Sequence, residues 1–303
     1  MPEDEDSYPA ESGRRRFVKG VVGASALGAT GITGATGIKY ATTSSGSGGG
    51  ATQYFGIENI AGPAPRGMPQ IPIEIDSDGY LKGVWPEVKT KTVDNEEVKI
   101  AETQLGGITY SSEWFQYCGV QTYAGIAPDA DQDNFFRVSE SASTSYDWMS
   151  DLSAGDKLKV SDFDDYESWG NDIGKDGLGK PAMGRWRSED LPPQETAPIQ
   201  ILRSTRIEDL AKESDHPEWV KASTEKGFIA WLNKCTHFCC VPGFKSSAQS
   251  AKFGGANDVY CPCHQSVYDP FNPVKLQFTS LPRPEDSGES GGSSGSSGGE
   301  SSA

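Results

Sequence analysis

Two short segments carry nearly all the sulfur and imidazole of this chain. Lys234 to Gly243 reads KCTHFCCVPG, with Cys235, His237, Cys239 and Cys240 inside six residues. Cys261 to Ser266 reads CPCHQS, with Cys261, Cys263 and His264. These segments hold five of the six cysteines and two of the three histidines, whereas a disulfide scaffold would spread its cysteines along the chain. Thiolate sulfur and neutral imidazole nitrogen are donors suited to soft and borderline transition metals. Cys235-x-His237 and Cys261-x-x-His264, with twenty-three residues between His237 and Cys261, offer two of each. That donor set fits a tetrahedral zinc site. It fits equally a [2Fe–2S] cluster in which two imidazoles replace two thiolates on one iron. The four ligands leave both open. The surplus thiols favour iron–sulfur, because a zinc module needs no additional cysteine in each loop. A disulfide between Cys240 and Cys263 would pin the two loops together beside the metal.

CTHFCCVPG and CPCHQSVYDP resemble the two cluster-binding loops of Rieske iron–sulfur proteins of the quinol-oxidising type found in cytochrome bc1 and b6f complexes, whose pattern is CTHLGC and CPCHGS. The match runs from about Pro198 to Asp269, with PIQILRSTRIEDL upstream and FGGANDVYCPCH leading into the second loop. The resemblance implies that Cys235 and Cys261 ligate one iron and His237 and His264 the other. It implies a Cys240–Cys263 disulfide, a Ser266 hydroxyl donating to a bridging sulfide, and a Tyr268 hydroxyl donating to a cysteine ligand sulfur. His264 would be the quinol-contacting residue, with His237 also exposed. Three positions depart from the pattern: Cys239 and Gln265 stand where the family has glycine, and Phe238 where it has leucine. The two glycine losses bear on the backbone turns, not on the ligands. Pro282-Arg283-Pro284 is the candidate for the family's proline-rich third loop, which covers the cluster.

This chemistry explains the residue types. Two neutral imidazoles in place of two thiolates make a cluster less negative, and potentials rise to roughly −150 to +300 mV. Hydrogen bonds to the sulfurs raise them further. A ligating imidazole also has a second nitrogen that can carry a proton, so electron uptake favours proton uptake, and quinol oxidation needs both.

The elements that must position these loops read as β. Gln70 to Asp76 (QIPIEID) alternates apolar and polar and reads as a strand, and Ile199 to Arg203 and Gly227 to Leu232 read as strands too. Val259-Tyr260 ends a short strand before the second loop, and Ile207 to Lys212 suits a short helix. The prediction is a mainly β, antiparallel sandwich-like head with an inserted cluster-binding subdomain at about 234–284, preceded by one N-terminal transmembrane helix. The stretch at about 105–191 is polar, acidic and aromatic-bearing, and resists assignment.

The ends differ from the head. Arg14-Arg15-Arg16-Phe17-Val18-Lys19 resembles a twin-arginine export signal. Nineteen uncharged residues follow, Gly20 to Ile38, long enough to cross a bilayer as a helix. No clean small-x-small cleavage site follows. The expected layout is a signal and retained anchor at 1–41, a Gly/Ser-rich hinge at 42–66, the head at 67–285 and a disordered tail at 286–303. Arginines before the span keep the N-terminus cytoplasmic, giving a single-pass protein of the cell membrane with its head on the outer face.

Net charge is −16, the reverse of a nucleic-acid footprint. The carboxylates are spread along the chain, which suits a surface adapted to high salt, as in a halophilic source, more than a face for a basic partner. His216 reads as a surface residue. Cys118 reads as a buried thiol or as a disulfide partner for Cys239. The acidic stretch at 162–172 reads as solvated surface, and the bland reading of Ser266 and Tyr268 is turn and packing chemistry.

The combined expectation is an electron-transfer subunit of a membrane quinol-oxidising complex carrying one [2Fe–2S] cluster. Its partners would be a cytochrome b-type membrane subunit, membrane quinol and an outer acceptor that is a cytochrome or copper protein. Such a subunit belongs to an oxidoreductase but is not catalytic alone. Two alternatives are a Rieske subunit of another oxidoreductase, of the arsenite-oxidase type, and a structural zinc module.

Overall fold

The computed structural model describes residues 50–280 except 94–95, 116–125, 132, 141–144, 190 and 192–195. The predicted anchor span, Cys118, Pro282, Pro284 and the tail lie outside the described residues. Among the described residues no helix is long and apolar enough to cross a membrane.

The architecture is mainly β and antiparallel. Strand β1 (Gly50–Ala61) is followed by β2 (Met68–Ile71), β3 (Ile73–Ile75), β4 (Leu81–Gly83), β5 (Val88–Val93), β6 (Glu96–Leu105) and β7 (Ile108–Ser111). Then come β8 (Arg137–Val138), β9 (Lys180–Trp186), β10 (Ala197–Arg203) and the helices α1 (Thr205–Glu213) and α2 (Pro217–Ser223). The chain continues through β11 (Phe228–Leu232), β12 (Gly243–Phe244), β13 (Val259–Tyr260) and β14 (Val267–Ser280). Nine strands form one sheet in the order β12-β13-β14-β1-β2-β11-β10-β9-β8, while β3-β4 and β5-β6-β7 form two smaller sheets.

The longest pairing joins β1 to β14, from Gly50 opposite Ser280 to Ala61 opposite Val267. This moves a predicted boundary. Residues 50–66, assigned from composition to the hinge, lie within the head, because β1 alternates buried residues such as Tyr54 and Ile57 into the cores. The QIPIEID segment is two strands rather than one. Pro72 has no N–H to give a ladder, and the chain breaks there between β2 and β3.

Strand β11 is apolar at every position, and its centre in the sheet explains why. Phe228, Ala230 and Leu232 face a large aromatic core, while Ile229 and Trp231 face a second core that also holds Cys235, Cys261 and Tyr268. The two-residue period of a strand thus feeds both cores from one segment. Helix α1 starts where Ser204 Oγ accepts from Arg206 N–H at 3.2 Å, a standard N-cap, and it buries Ile207 and Leu210.

The stretch at 105–191 joins the main core rather than forming a separate body. Trp114, Phe115, Tyr146, Phe163 and Trp186 are buried in it. The acidic segment is therefore two-faced: Asp164 and Asp165 point outward with 75% and 58% of their side chains exposed, while Phe163 and Trp169 turn inward.

Asp258, just before β13, has burial and the neighbouring Asp269 pushing its carboxyl up to about 6, opposed by Arg206. An unfolded carboxyl titrates near ~3.9. Folding therefore favours the protonated form, and that stability, complete below about pH 4, is lost as pH rises through about 6. Asp258→Asn is expected to flatten this slope in urea titrations between about pH 4 and 7 and to stabilise the protein at neutral pH by on the order of 1–2 kcal/mol. An unchanged slope would assign the pH dependence to other groups.

Candidate metal centre

Two loops meet beside the second core. The first, residues 234–242, leaves the buried end of β11 and enters β12. The second, residues 261–266, joins β13 to β14. They close in the same way. Cys235 N–H donates to Cys240 O at 2.7 Å and Cys239 N–H donates to Cys235 O at 3.0 Å. Cys261 N–H donates to Ser266 O and Gln265 N–H donates to Cys261 O, both at 2.9 Å.

This repeated ring needs a left-handed residue at its fifth position. Cys239 and Gln265 supply it, with φ of +61° and +62°. The turns that a glycine would make freely are therefore retained by two side-chain-bearing residues. A left-handed non-glycine residue costs roughly 1–2 kcal/mol. Gln265→Gly is expected to leave stability unchanged or raise it by up to about 1 kcal/mol, since glycine's unfolded-state entropy offsets part of the relief. Gln265→Val, β-branched at positive φ, should lower it by about 1–2 kcal/mol. Thermal unfolding of the two variants checks this pair of signs.

Cys235 and Cys261 are fully buried free thiols. Their side chains share a hydrogen bond, which with the Tyr268 hydroxyl and the backbone amides of His237 and Phe238 pushes Cys235 down to about 5. Cys261 is pushed up by the same shared bond and by burial, although the amides of Cys263 and His264 pull its sulfur toward the thiolate. Each loop thus aims two backbone N–H groups at its own cysteine sulfur, the surroundings a metal-bound thiolate requires.

The imidazoles of His237 and His264 lie side by side, with ring centroids 4.7 Å apart. His237 Nδ1 is buried without a hydrogen-bond partner. A buried polar atom left unpaired is uncommon and calls for an acceptor of its lone pair; a metal ion is one. His264 is exposed and His237 partly so. Phe238, 51% exposed, packs on both rings at centroid distances of 4.3 and 5.1 Å.

Cys240 and Cys263 are joined by a disulfide that ties one loop to the other. The sulfurs of Cys240, Cys261 and Cys263 also lie within 4.8 Å of one another, but the two in the disulfide have no thiolate to offer a metal. The donor set that remains is Cys235, His237, Cys261 and His264, and it suits a [2Fe–2S] cluster of mixed sulfur and nitrogen ligation. Cys239 is itself disulfide-bonded; Cys118, the partner considered from the sequence, lies outside the described residues.

Around the donors, Tyr268, fully buried, donates its hydroxyl to Cys235 Sγ at 3.2 Å. Burial and the Cys235 sulfur both push that phenol up, so it stays a donor. Ser266 is fully buried too, and its Oγ accepts from Ala64 N–H at 3.1 Å.

Three further contacts had no signal in the sequence. Asn233 Nδ2 donates to Pro242 O at 2.8 Å, pinning the first loop's exit to its entrance. Thr236 Oγ1 donates to Arg66 O at 2.6 Å. Tyr146, from the unassigned stretch, donates to Phe244 O at 2.6 Å and accepts from Gln200 Nε2 at 2.5 Å, while Gln200 Oε1 accepts from Phe244 N–H at 3.0 Å. This buried polar triangle holds β12, where the first loop ends, against β10.

Over 123 residues the chain is 30% identical to the mitochondrial Rieske subunit of the cytochrome b-c1 complex from Symphalangus syndactylus and from Gorilla gorilla gorilla, covering 40% of this chain and 36% of each relative. It is also 30% identical over 123 residues to a putative cytochrome b-c1 complex subunit Rieske-like protein 1 from Homo sapiens, covering 40% of this chain and 35% of that one. The chain thus spans about a third of the length of the curated relatives it matches. No family model matches the chain, and no solved structure matches it. The similarity supports a Rieske-type electron-transfer protein with an iron–sulfur cluster.

Proposed function

We propose that this chain is the electron-transfer subunit of a membrane quinol-oxidising complex, with one [2Fe–2S] cluster held by Cys235, His237, Cys261 and His264. The observation that carries this reading is that the same two disulfide-linked loops carry two buried, mutually hydrogen-bonded thiols and two adjacent imidazoles, one with its Nδ1 unpartnered, at a partly exposed edge. Bound there, the cluster supplies one-electron chemistry at a potential raised by its imidazole ligands.

The protein's own groups do the rest. His237, ligating through Nδ1, keeps Nε2 to carry a proton. His264, the more exposed ring, is the one a quinol hydroxyl reaches. The Tyr268 hydroxyl on Cys235 Sγ, together with the amides at both cysteines, favours added negative charge. The buried positions of Cys235 and Cys261 keep water from their sulfurs. Phe238 and Val241, 51% and 48% exposed, give the edge an apolar rim, suited to desolvating contact with a cytochrome b-type membrane subunit.

The Ser/Gly-rich segment at 42–49 precedes β1 in sequence; as a tether it would let the head reach both the membrane quinol and an outer cytochrome or copper protein. The anchor at 20–38, with the N-terminus inside and the head outside, completes this arrangement.

Purification from native membranes tests the assignment. Co-elution with a cytochrome b-type subunit, and quinol-dependent reduction of the purified complex, are expected. Co-elution with a molybdenum oxidoreductase instead would transfer the subunit to the arsenite-oxidase type.

A further inference from the structure

Among the described residues Phe238 is the most exposed large hydrophobic side chain, at 51%, and the only aromatic one so exposed. It stands at the redox edge itself, between His237 and Cys239. Its backbone is fixed on both sides. The Phe238 N–H points at the Cys235 sulfur, and Cys239 is left-handed at φ +61° and disulfide-bonded. The phenyl meets His237 edge to face, with centroids 4.3 Å apart and planes at 65°. It is tilted by 39° to His264, 5.1 Å away, and His264 is exposed. The inner part of the ring thus packs on imidazole, while the outer part faces away from the protein. Leucine would cover the imidazoles as well. What a phenyl adds is a flat π face held out beside His264, and aromatic pairs gain more from such a face than their buried area alone supplies.

We infer that Phe238 is a specificity-determining residue for the quinol, and that the class it favours is a naphthoquinol, whose hydroquinone ring is fused to a second aromatic ring. The inference rests on the quinol-oxidising reading above and names the substrate class of that same site. A quinol hydroxyl held at His264 brings the hydroquinone ring to the edge where the phenyl stands. A fused ring extends the flat surface toward that phenyl. A benzoquinol carries only methyl or alkoxy groups in the same place, and these present no π face. The preference is built before binding: the Cys235 sulfur and the Cys239 disulfide hold the backbone that carries the ring, so little freedom remains to be lost on contact. Val241, 48% exposed, is aliphatic and cannot discriminate in this way. It would serve the apolar contact with a membrane subunit as well beside a leucine at 238 as beside the phenylalanine, which separates docking from selection.

The test uses the purified complex and two probes, a naphthoquinone and a benzoquinone bearing the same short alkyl tail. Equilibrium dialysis gives their dissociation constants without turnover, each read as the ratio of variant to wild type. Phe238→Leu is expected to weaken naphthoquinone binding about fivefold, or about 1 kcal/mol, and to leave benzoquinone binding within about twofold. Steady-state oxidation of the two quinols should show the same pattern, carried by KM rather than kcat. Phe238→Trp, which enlarges the π face, should keep the naphthoquinone preference. The midpoint potential should be the same in wild type and Phe238→Leu, since the residue acts on the substrate and not on the metal centre. Equal losses for both classes in Phe238→Leu, or a wild-type preference for the benzoquinone, overturn the inference and leave the quinol-oxidising reading standing. A wild-type complex reduced by neither quinol sinks that reading, and the inference with it.

Discussion

Cys240→Ser is expected to destabilise the head by about 3 kcal/mol and to strip the metal centre of iron during purification. The disulfide links residues separated by 23 in sequence, and loop-closure entropy for a ring of that size is worth about 3 kcal/mol. The local effect exceeds the global one. The strands that carry the loops, β12 and β13, are two residues long each, too short to hold two loops in register through ladder bonds alone. Cys263 sits between Cys261 and His264, and Cys240 closes the ring that begins at Cys235. Releasing the bond frees ligands of both loops at once. Urea unfolding and iron content of the variant, measured beside wild type treated with reductant, check this. Full iron retention with a loss below about 1 kcal/mol would mean that Ala64, Thr236 and the backbone rings hold the loops unaided.

Tyr268→Phe is expected to lower the midpoint potential by roughly 40–90 mV while leaving the cluster bound. A hydrogen bond to a charged acceptor is worth about 1.5–3 kcal/mol. The part that strengthens when an electron arrives, on the order of 1–2 kcal/mol, converts to that shift at 59 mV per tenfold. The phenol reaches Cys235 Sγ at 3.2 Å with its ring fully buried, so no water replaces it in the variant. Ser266→Ala should lower the potential in the same sense. Voltammetry that leaves both variants at the wild-type potential would return Tyr268 and Ser266 to plain packing roles.

The parts of the candidate site that lie close in sequence were legible, among them the disulfide between Cys240 and Cys263. Cys-x-His and Cys-x-x-His place donors within one turn each, and the surplus cysteines announced themselves by position. Strands β10, β11 and β13 were legible from alternation or continuous apolar runs. What could not be read is what arrives from far away. Ala64 stands 202 residues from Ser266, and nothing in GPAPRG, residues 62–67, marks an amide aimed at a hydroxyl. The hinge boundary was misplaced because Gly, Thr and Gln at the start of β1 have linker composition, although pairing with β14 makes them strand. The 105–191 stretch hid its role because its core residues are scattered tryptophans, tyrosines and phenylalanines on short turns, without a period. Cys239 and Gln265 broke the glycine pattern by residue type while keeping its backbone conformation, which no composition rule reveals.

The central claim is that Cys235, His237, Cys261 and His264 hold a [2Fe–2S] cluster. Electron paramagnetic resonance of the dithionite-reduced protein, with metal analysis of the same sample, tests it most directly. The account predicts two irons per chain and one iron–sulfur resonance whose hyperfine structure reports two nitrogen ligands, both lost in Cys261→Ala. A silent spectrum with one zinc per chain would contradict it.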